Sequence, residues 1–233
     1  LPNLASLGGF EKTGAAVESV YQSDPTLKFN LVYIHDQFTN VQRLTIFSKT
    51  CPKLKGLYLD CPRGTAVQNI DILKDIKDLK LHKSRWVDVE VMLRNMNRRL
   101  RTLNLSKVYG SMDVAVLAKH CKHLTKLDLN FVSLINTTPD AENNRREKLF
   151  PEMQEIFIYR TILPSEIVKT FLTCSEYLEH IAFGECNLVK DQEMIACIEM
   201  SSLKHLRELW FGQATHLTIE SLRCIMENCP MVT

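Results

Sequence analysis

Seven histidines and eight cysteines are the residues of this 233-residue chain best suited to act as metal ligands, nucleophiles or general bases. The tightest cluster is His120-Cys121-Lys122-His123, two imidazoles and a thiol within four residues. A structural zinc takes four such ligands at recurring spacings, and no fourth ligand accompanies this group at a suitable distance. At a helix end His120 meets free carbonyls instead, and His123 falls on the adjoining turn. A covalent nucleophile needs a base within reach and a third group to orient that base. None of His35, His82, His120, His123, His180, His205 and His216 recurs beside a cysteine or serine at a diagnostic spacing. Leu7-Gly8-Gly9-Phe10 lacks the lysine of a phosphate-binding loop. The expectation is a non-catalytic chain with no metal and no cofactor, whose work is binding.

The elements that would carry a binding surface repeat. An apolar-x-x-apolar-x-apolar register returns as Phe29-x-x-Val32-x-Ile34, Leu54-x-x-Leu57-x-Leu59, Ile76-x-x-Leu79-x-Leu81 and Leu100-x-x-Leu103-x-Leu105. It continues as Leu124-x-x-Leu127-x-Leu129, Met153-x-x-Ile156-x-Ile158, Leu178-x-x-Ile181-x-Phe183 and Leu206-x-x-Leu209-x-Phe211, with a degenerate Leu4-x-x-Leu7 at the start. The central residues are spaced 25, 25, 22, 24, 24, 29, 25 and 28 apart. That period predicts an α/β solenoid, a horseshoe or arc of about nine leucine-rich repeats, each contributing one strand to a parallel concave sheet and one helix to the convex side. A unit this small cannot bury its apolar face alone, so stability has to come from stacking. Residues 1–233 read as one solenoid. Met231-Val232-Thr233 resembles the start of another strand, and terminal repeats need polar caps, so the expectation is a fragment without its end caps.

Helical periodicity falls between the strands, at Thr13 to Ser23, Asn40 to Thr50, Val87 to Met96, Met112 to His120, Pro164 to Thr173, Lys190 to Met200 and Thr218 to Asn228. Ala66 to Leu73 is at most two turns. The widest gap, residues 133–150, reads as a loop leading into a hydrophilic helix near Asp140, or as a functional insertion. With 45% hydrophobic and 24% charged residues and a net charge of +2, the composition is that of an ordinary globular chain. The small net charge argues against a dedicated nucleic-acid binder, which normally carries a clustered basic face, and no apolar run is long enough to span a membrane.

Cys51, Cys121 and Cys229 each stand three residues before the next strand register, and Cys174 stands four before. Copies separated by several repeats are too far apart to bridge, so all eight cysteines read as reduced thiols of an intracellular, cytoplasmic or nuclear protein. Cys186-Asn187 falls just after a strand, where repeats place an inward-facing Cys or Asn. Cys51-Pro52-Lys53-Leu54-x-x-Leu57, His120-Cys121-Lys122-His123-Leu124-x-x-Leu127 and Asn228-Cys229-Pro230-Met231 resemble the cysteine-containing class of leucine-rich repeats, known from the F-box and leucine-rich-repeat proteins. The resemblance implies that the repeats capture a protein substrate for a cullin-type ubiquitin ligase. An F-box would join it to a Skp-type adaptor, through a segment not found in this chain. The alternative is a scaffold or inhibitor unrelated to ubiquitination.

Strand alternation then selects the surface. Tyr33 and Tyr58 should be neighbours on the concave face near one end. Phe157 and Tyr159 should wall one side of a shallow slot and Trp210 the other, with Ala182 and Gly184 as its floor, about two strand spacings wide. Exposed aromatics over small residues suit a protein-binding hot spot. The central run of Asp78, Lys80, Asn104, Lys126 and Asp128 is mixed in sign and reads as a solvated face.

Overall fold

In a computed structural model, residues 13–96, 99–137, 148–185, 190–201, 203–212 and 217–232 are described. Leu4-x-x-Leu7, Cys186-Asn187 and the helix expected near Asp140 lie outside them. The chain divides into two compact units, residues 1–109 and 110–233.

The first unit runs α1 (Thr13–Ser23), β1 (Tyr33–Gln37), α2 (Val41–Thr50), β2 (Gly56–Asp60), α3 (Thr65–Gln68), a single 3-10 turn (Ile70–Ile72), β3 (Asp78–His82), α4 (Trp86–Asn95) and β4 (Thr102–Ser106). Its strands pair in chain order, all parallel. The second unit holds β5 (Ser111–Asp113), α5 (Val114–His120), β6 (Lys126–Asn130), β7 (Ser133–Ile135), β8 (Glu155–Tyr159), α6 (Ser165–Thr173), β9 (His180–Gly184), α7 (Asp191–Glu199), β10 (Glu208–Phe211) and α8 (Ile219–Asn228). There β6, β8, β9 and β10 pair in parallel, and β5 pairs separately with β7. Part of the expected 133–150 loop is therefore a strand.

Parallel strands need a crossover between them, and α2, α3, α4, α6 and α7 lie in such crossovers. Three helices, α2, α5 and α8, begin where a side chain satisfies a free amide: Asn40, Asp113 and Thr218 accept from the backbone N–H of Arg43, Ala115 and Glu220. They end at buried cysteines. Cys51, Cys121 and Cys229 cap α2, α5 and α8, each donating its N–H to the carbonyl four residues back and accepting in turn from Leu54, Leu124 and Val232. Leu57, Leu59, Leu79, Leu81, Leu103 and Leu105 form the buried side of the first unit's strands, and Leu127, Leu129, Ile156, Ile158, Ile181 and Phe183 that of the second.

The strands also end alike. Phe38, Cys61, Lys83, Lys107, Phe131, Arg160 and Glu185, each the first residue past a strand, all have φ near +50°. The left-handed region is uncommon for such side chains. The ladder holds them there. Phe38, Cys61 and Lys83 donate their N–H to the last residue of the next strand, Asp60, His82 and Ser106, as Phe131 and Arg160 do to Tyr159 and Gly184.

One strand is out of the expected register. Ile34 pairs with Leu57 and Asp36 with Leu59, two residues away from the predicted alignment. The inward positions at β1 are thus Ile34 and Asp36, with Leu31 buried just ahead of the strand, not Phe29, Val32 and Ile34. An acid fills a place that leucine, isoleucine or phenylalanine fills elsewhere. It fits because its carboxyl packs on the first turn of α1, where a Cβ on Gly14 would stand 2.2 Å from it, and accepts from Thr39 Oγ1 and Arg43 Nη1.

Candidate functional site

On the exposed face of the second unit, Phe157 stands opposite Ala182 and Ala182 opposite Trp210, while Tyr159 stands opposite Gly184. Strand alternation turns these side chains away from the core. Trp210 is 52% exposed, Phe157 and Tyr159 are half-buried, and Ala182 and Gly184 are buried.

The expected slot is absent. Tyr159 and Trp210 incline towards each other, with ring centroids 6.0 Å apart and planes at 46°, instead of standing two strand spacings apart. The cause lies beneath them. A Cβ on Gly184 would fall 2.3 Å from Tyr159 Cδ1 and 2.7 Å from Trp210 Cζ3, and one on Gly212 would fall 2.5 Å from Trp210 Cη2. With no side chains there, both rings settle onto backbone and fill the gap themselves. The result is an aromatic ledge on a glycine floor. Tilted aromatic pairs at this separation attract each other beyond the area they bury.

Charges border the ledge. Along the row where these strands begin, Lys126, Glu155, His180 and Glu208 succeed one another on adjacent strands. Lys126 pairs with Glu155, and His180 Nδ1 lies 3.2 Å from Glu208 Oε2. Lys126 Nζ also stands 4.8 Å from the Phe157 ring centroid. Beyond the strand ends, Arg160 binds Glu185 through two nitrogens and lies over the Phe131 ring. Burial, and after it the charge of Asp128, raises the Tyr159 phenol above its ordinary pKa.

Tyr33 and Tyr58 are not paired with each other. Because β1 is shifted, Tyr33 faces Gly56 and lies over it, with its hydroxyl 3.0 Å from Asp78 Oδ2. That hydrogen bond raises its pKa. Tyr58 faces His35, stacks on that ring at 3.9 Å, and carries Lys80 Nζ 4.9 Å from its centroid.

His123 pairs with Glu152. The seven described cysteines are free thiols; burial pushes Cys121 and Cys174 up to about 12 and Cys229 up to about 11, far from the thiolate a nucleophile or metal ligand requires. Among the described residues no group of three or more His, Cys, Asp or Glu is placed to hold a metal ion, and no helix is long and apolar enough to cross a membrane.

No protein-family model matches the chain. A chain of a solved structure, the crystal structure of Rad7 and Elc1 complex in yeast, is similar to it with a TM-score of 0.45 and 13% sequence identity, over 93% of this chain and 67% of that one.

Proposed function

We propose that this chain is a leucine-rich-repeat solenoid of about nine repeats that recognises a protein through the exposed face of its strands and does no catalysis of its own. The observation that carries the reading is the Trp210–Tyr159 ledge. A tryptophan that keeps half its surface open while resting on two glycines is already ordered, so a partner covering it gains buried aromatic area at little entropic cost. The strand, left-handed corner and helix that recur with a cysteine at helix ends support the repeat assignment. Raised thiol pKa values support the non-catalytic one.

Within that reading, the chain serves as the substrate-recognition part of a cullin-type ubiquitin ligase in the cytoplasm or nucleus, joined to a Skp-type adaptor by a segment outside it. The test places a photo-crosslinking amino acid at position 208, exposed beside Trp210 on the same face of β10, and identifies the polypeptides it captures in cells. A polypeptide captured at 208, lost on Trp210→Ala, and ubiquitinated when chain, adaptor and cullin are combined is the expected result. A captured polypeptide that Trp210→Ala retains fully would sink the ledge as the recognition surface. Capture without adaptor-dependent ubiquitin transfer would remove the ligase role and leave the binding role.

A further inference from the structure

The two units carry opposite charge. Residues 1–109 hold 17 Lys and Arg against 10 Asp and Glu, a formal +7, and residues 110–233 hold 12 against 17, a formal −5. In the first unit the excess gathers on three neighbouring strands. Lys55, Lys77 and Arg101 occupy one register position just ahead of β2, β3 and β4, tied by backbone hydrogen bonds from Lys77 N–H to the Lys55 carbonyl and from Arg101 N–H to the Lys77 carbonyl. Lys83 and Lys107 occupy another, the left-handed corners past β3 and β4; the two rows flank the strand ends, and strand alternation puts Lys80 on the exposed face between them. The face holds two acids, and both are engaged: Asp78 accepts from the Tyr33 hydroxyl and Asp60 from Gln37 Nε2. Lys55, Lys77, Lys83 and Lys107 make no ion pair among the described residues and are exposed. Like charges on neighbouring strands repel, and nothing in the packing of this face requires them. Desolvation, and after it Lys83, Lys107 and Lys80, disfavour the charged form of His82, against the opposing pull of the Asp60 carboxylate.

We propose that the exposed face of β2, β3 and β4 receives an extended acidic segment of a partner polypeptide. The basic rows are six residues apart along β3, about 20 Å, which an extended segment of about seven residues spans. A carboxylate chain lying along the strands meets lysines at both ends. Single-stranded nucleic acid fits less well, because it needs open aromatic faces on which bases stack. Here Tyr58 is covered by His35 and Lys80, and Tyr33 lies over Gly56. This inference concerns a different unit from the Trp210 ledge and does not depend on it.

The test uses the full chain and a fluorescein-labelled peptide of eight glutamates, monitored by anisotropy at 50 mM NaCl. Saturable binding that weakens with salt is expected. Lys83→Asn with Lys107→Asn should weaken it at least ten-fold. Asparagine tolerates the left-handed conformation better than lysine does, so the thermal midpoint should hold or rise and misfolding cannot explain the loss. Lys169→Gln with Lys204→Gln, an equal change of charge in the second unit, should alter binding less than two-fold. No saturable binding, equal losses from the two pairs, or tighter binding of a single-stranded oligonucleotide with eight phosphates would each overturn the proposal.

Discussion

Asp36 on β1 stands directly across from Leu59 on β2, and both side chains are sealed from solvent, at 1% and 0% exposure. A carboxylate there joins three elements, β1, α1 and α2, in a place that leucine would only have filled. It touches the first turn of α1, accepts from Thr39 past the strand, and reaches Arg43 of α2, whose guanidinium also holds Glu18 of α1 at 2.7 Å. The first helix is thereby fastened to the first strand by polar bonds.

Burial raises the Asp36 pKa above its ordinary 3.8, outweighing the bonds from Thr39 and Arg43. A folded-state pKa raised in this way means the carboxyl's contribution to stability is full below about pH 4 and is lost as pH rises through the higher value. Asp36→Asn, permanently neutral, should therefore gain on the native chain between pH 3 and pH 7 in urea midpoints. A difference that stays constant, or moves the other way, would refute this.

Trp210 and Leu209 are neighbours with different duties. Trp210→Ala should weaken partner binding by about 2 kcal/mol, the scale of an interface hot spot, with little change in thermal midpoint. Leu209→Ala should do the reverse. Leu209 is only half-buried on β10, so the loss should be about 2 kcal/mol, the low end for a core leucine. Equal destabilisation by both substitutions would place Trp210 in the core.

Gly184→Ala tests the floor. A methyl group there meets both Tyr159 and Trp210, and a strand accepts alanine, so the rings should part without unfolding. In a Trp86→Phe background, Trp210 emission should shift to the red and acrylamide quenching should rise. Unchanged spectra would mean the rings do not rest on Gly184.

Cys121→Ser should destabilise by about 1–3 kcal/mol, because a hydroxyl would replace a thiol in a fully buried place. With a disulfide reagent on the folded protein, Cys61 should react first among the described thiols, since it alone is half-exposed. Rapid labelling of Cys121 or Cys174 before Cys61 would contradict the burial.

Leucine spacing made seven of the strands legible in their register, because Leu57 and Leu59 and their counterparts are apolar wherever they face inward. It failed at β1, where Leu31-x-x-Ile34-x-Asp36 keeps the same spacing with an acid in the third place, and Phe29, Val32 and Ile34 offered an all-apolar decoy. Thr39 and Arg43 downstream were the available signal that an acid there had partners. The aromatic columns were readable from alternation, but the lean of Tyr159 and Trp210 was not. That lean depends on two missing Cβ atoms acting together, which no one-strand pattern contains. Nor could the left-handed corners be read, since Phe, Cys, Lys, Arg and Glu carry no local preference for them.

The corners at Phe38, Cys61, Lys83, Phe131 and Arg160 stitch each strand to its successor through the backbone. The side chain at a corner is consequently exempt from the demands of the ladder, and so is the length of the next crossover. A four-residue helix lies beyond one corner and a ten-residue helix beyond another, at Thr65–Gln68 and Trp86–Asn95, while the strands beside them stay in step. Such a chain can diversify its surface and its crossovers independently, one segment at a time, because the rule that spaces the strands is written in main-chain atoms.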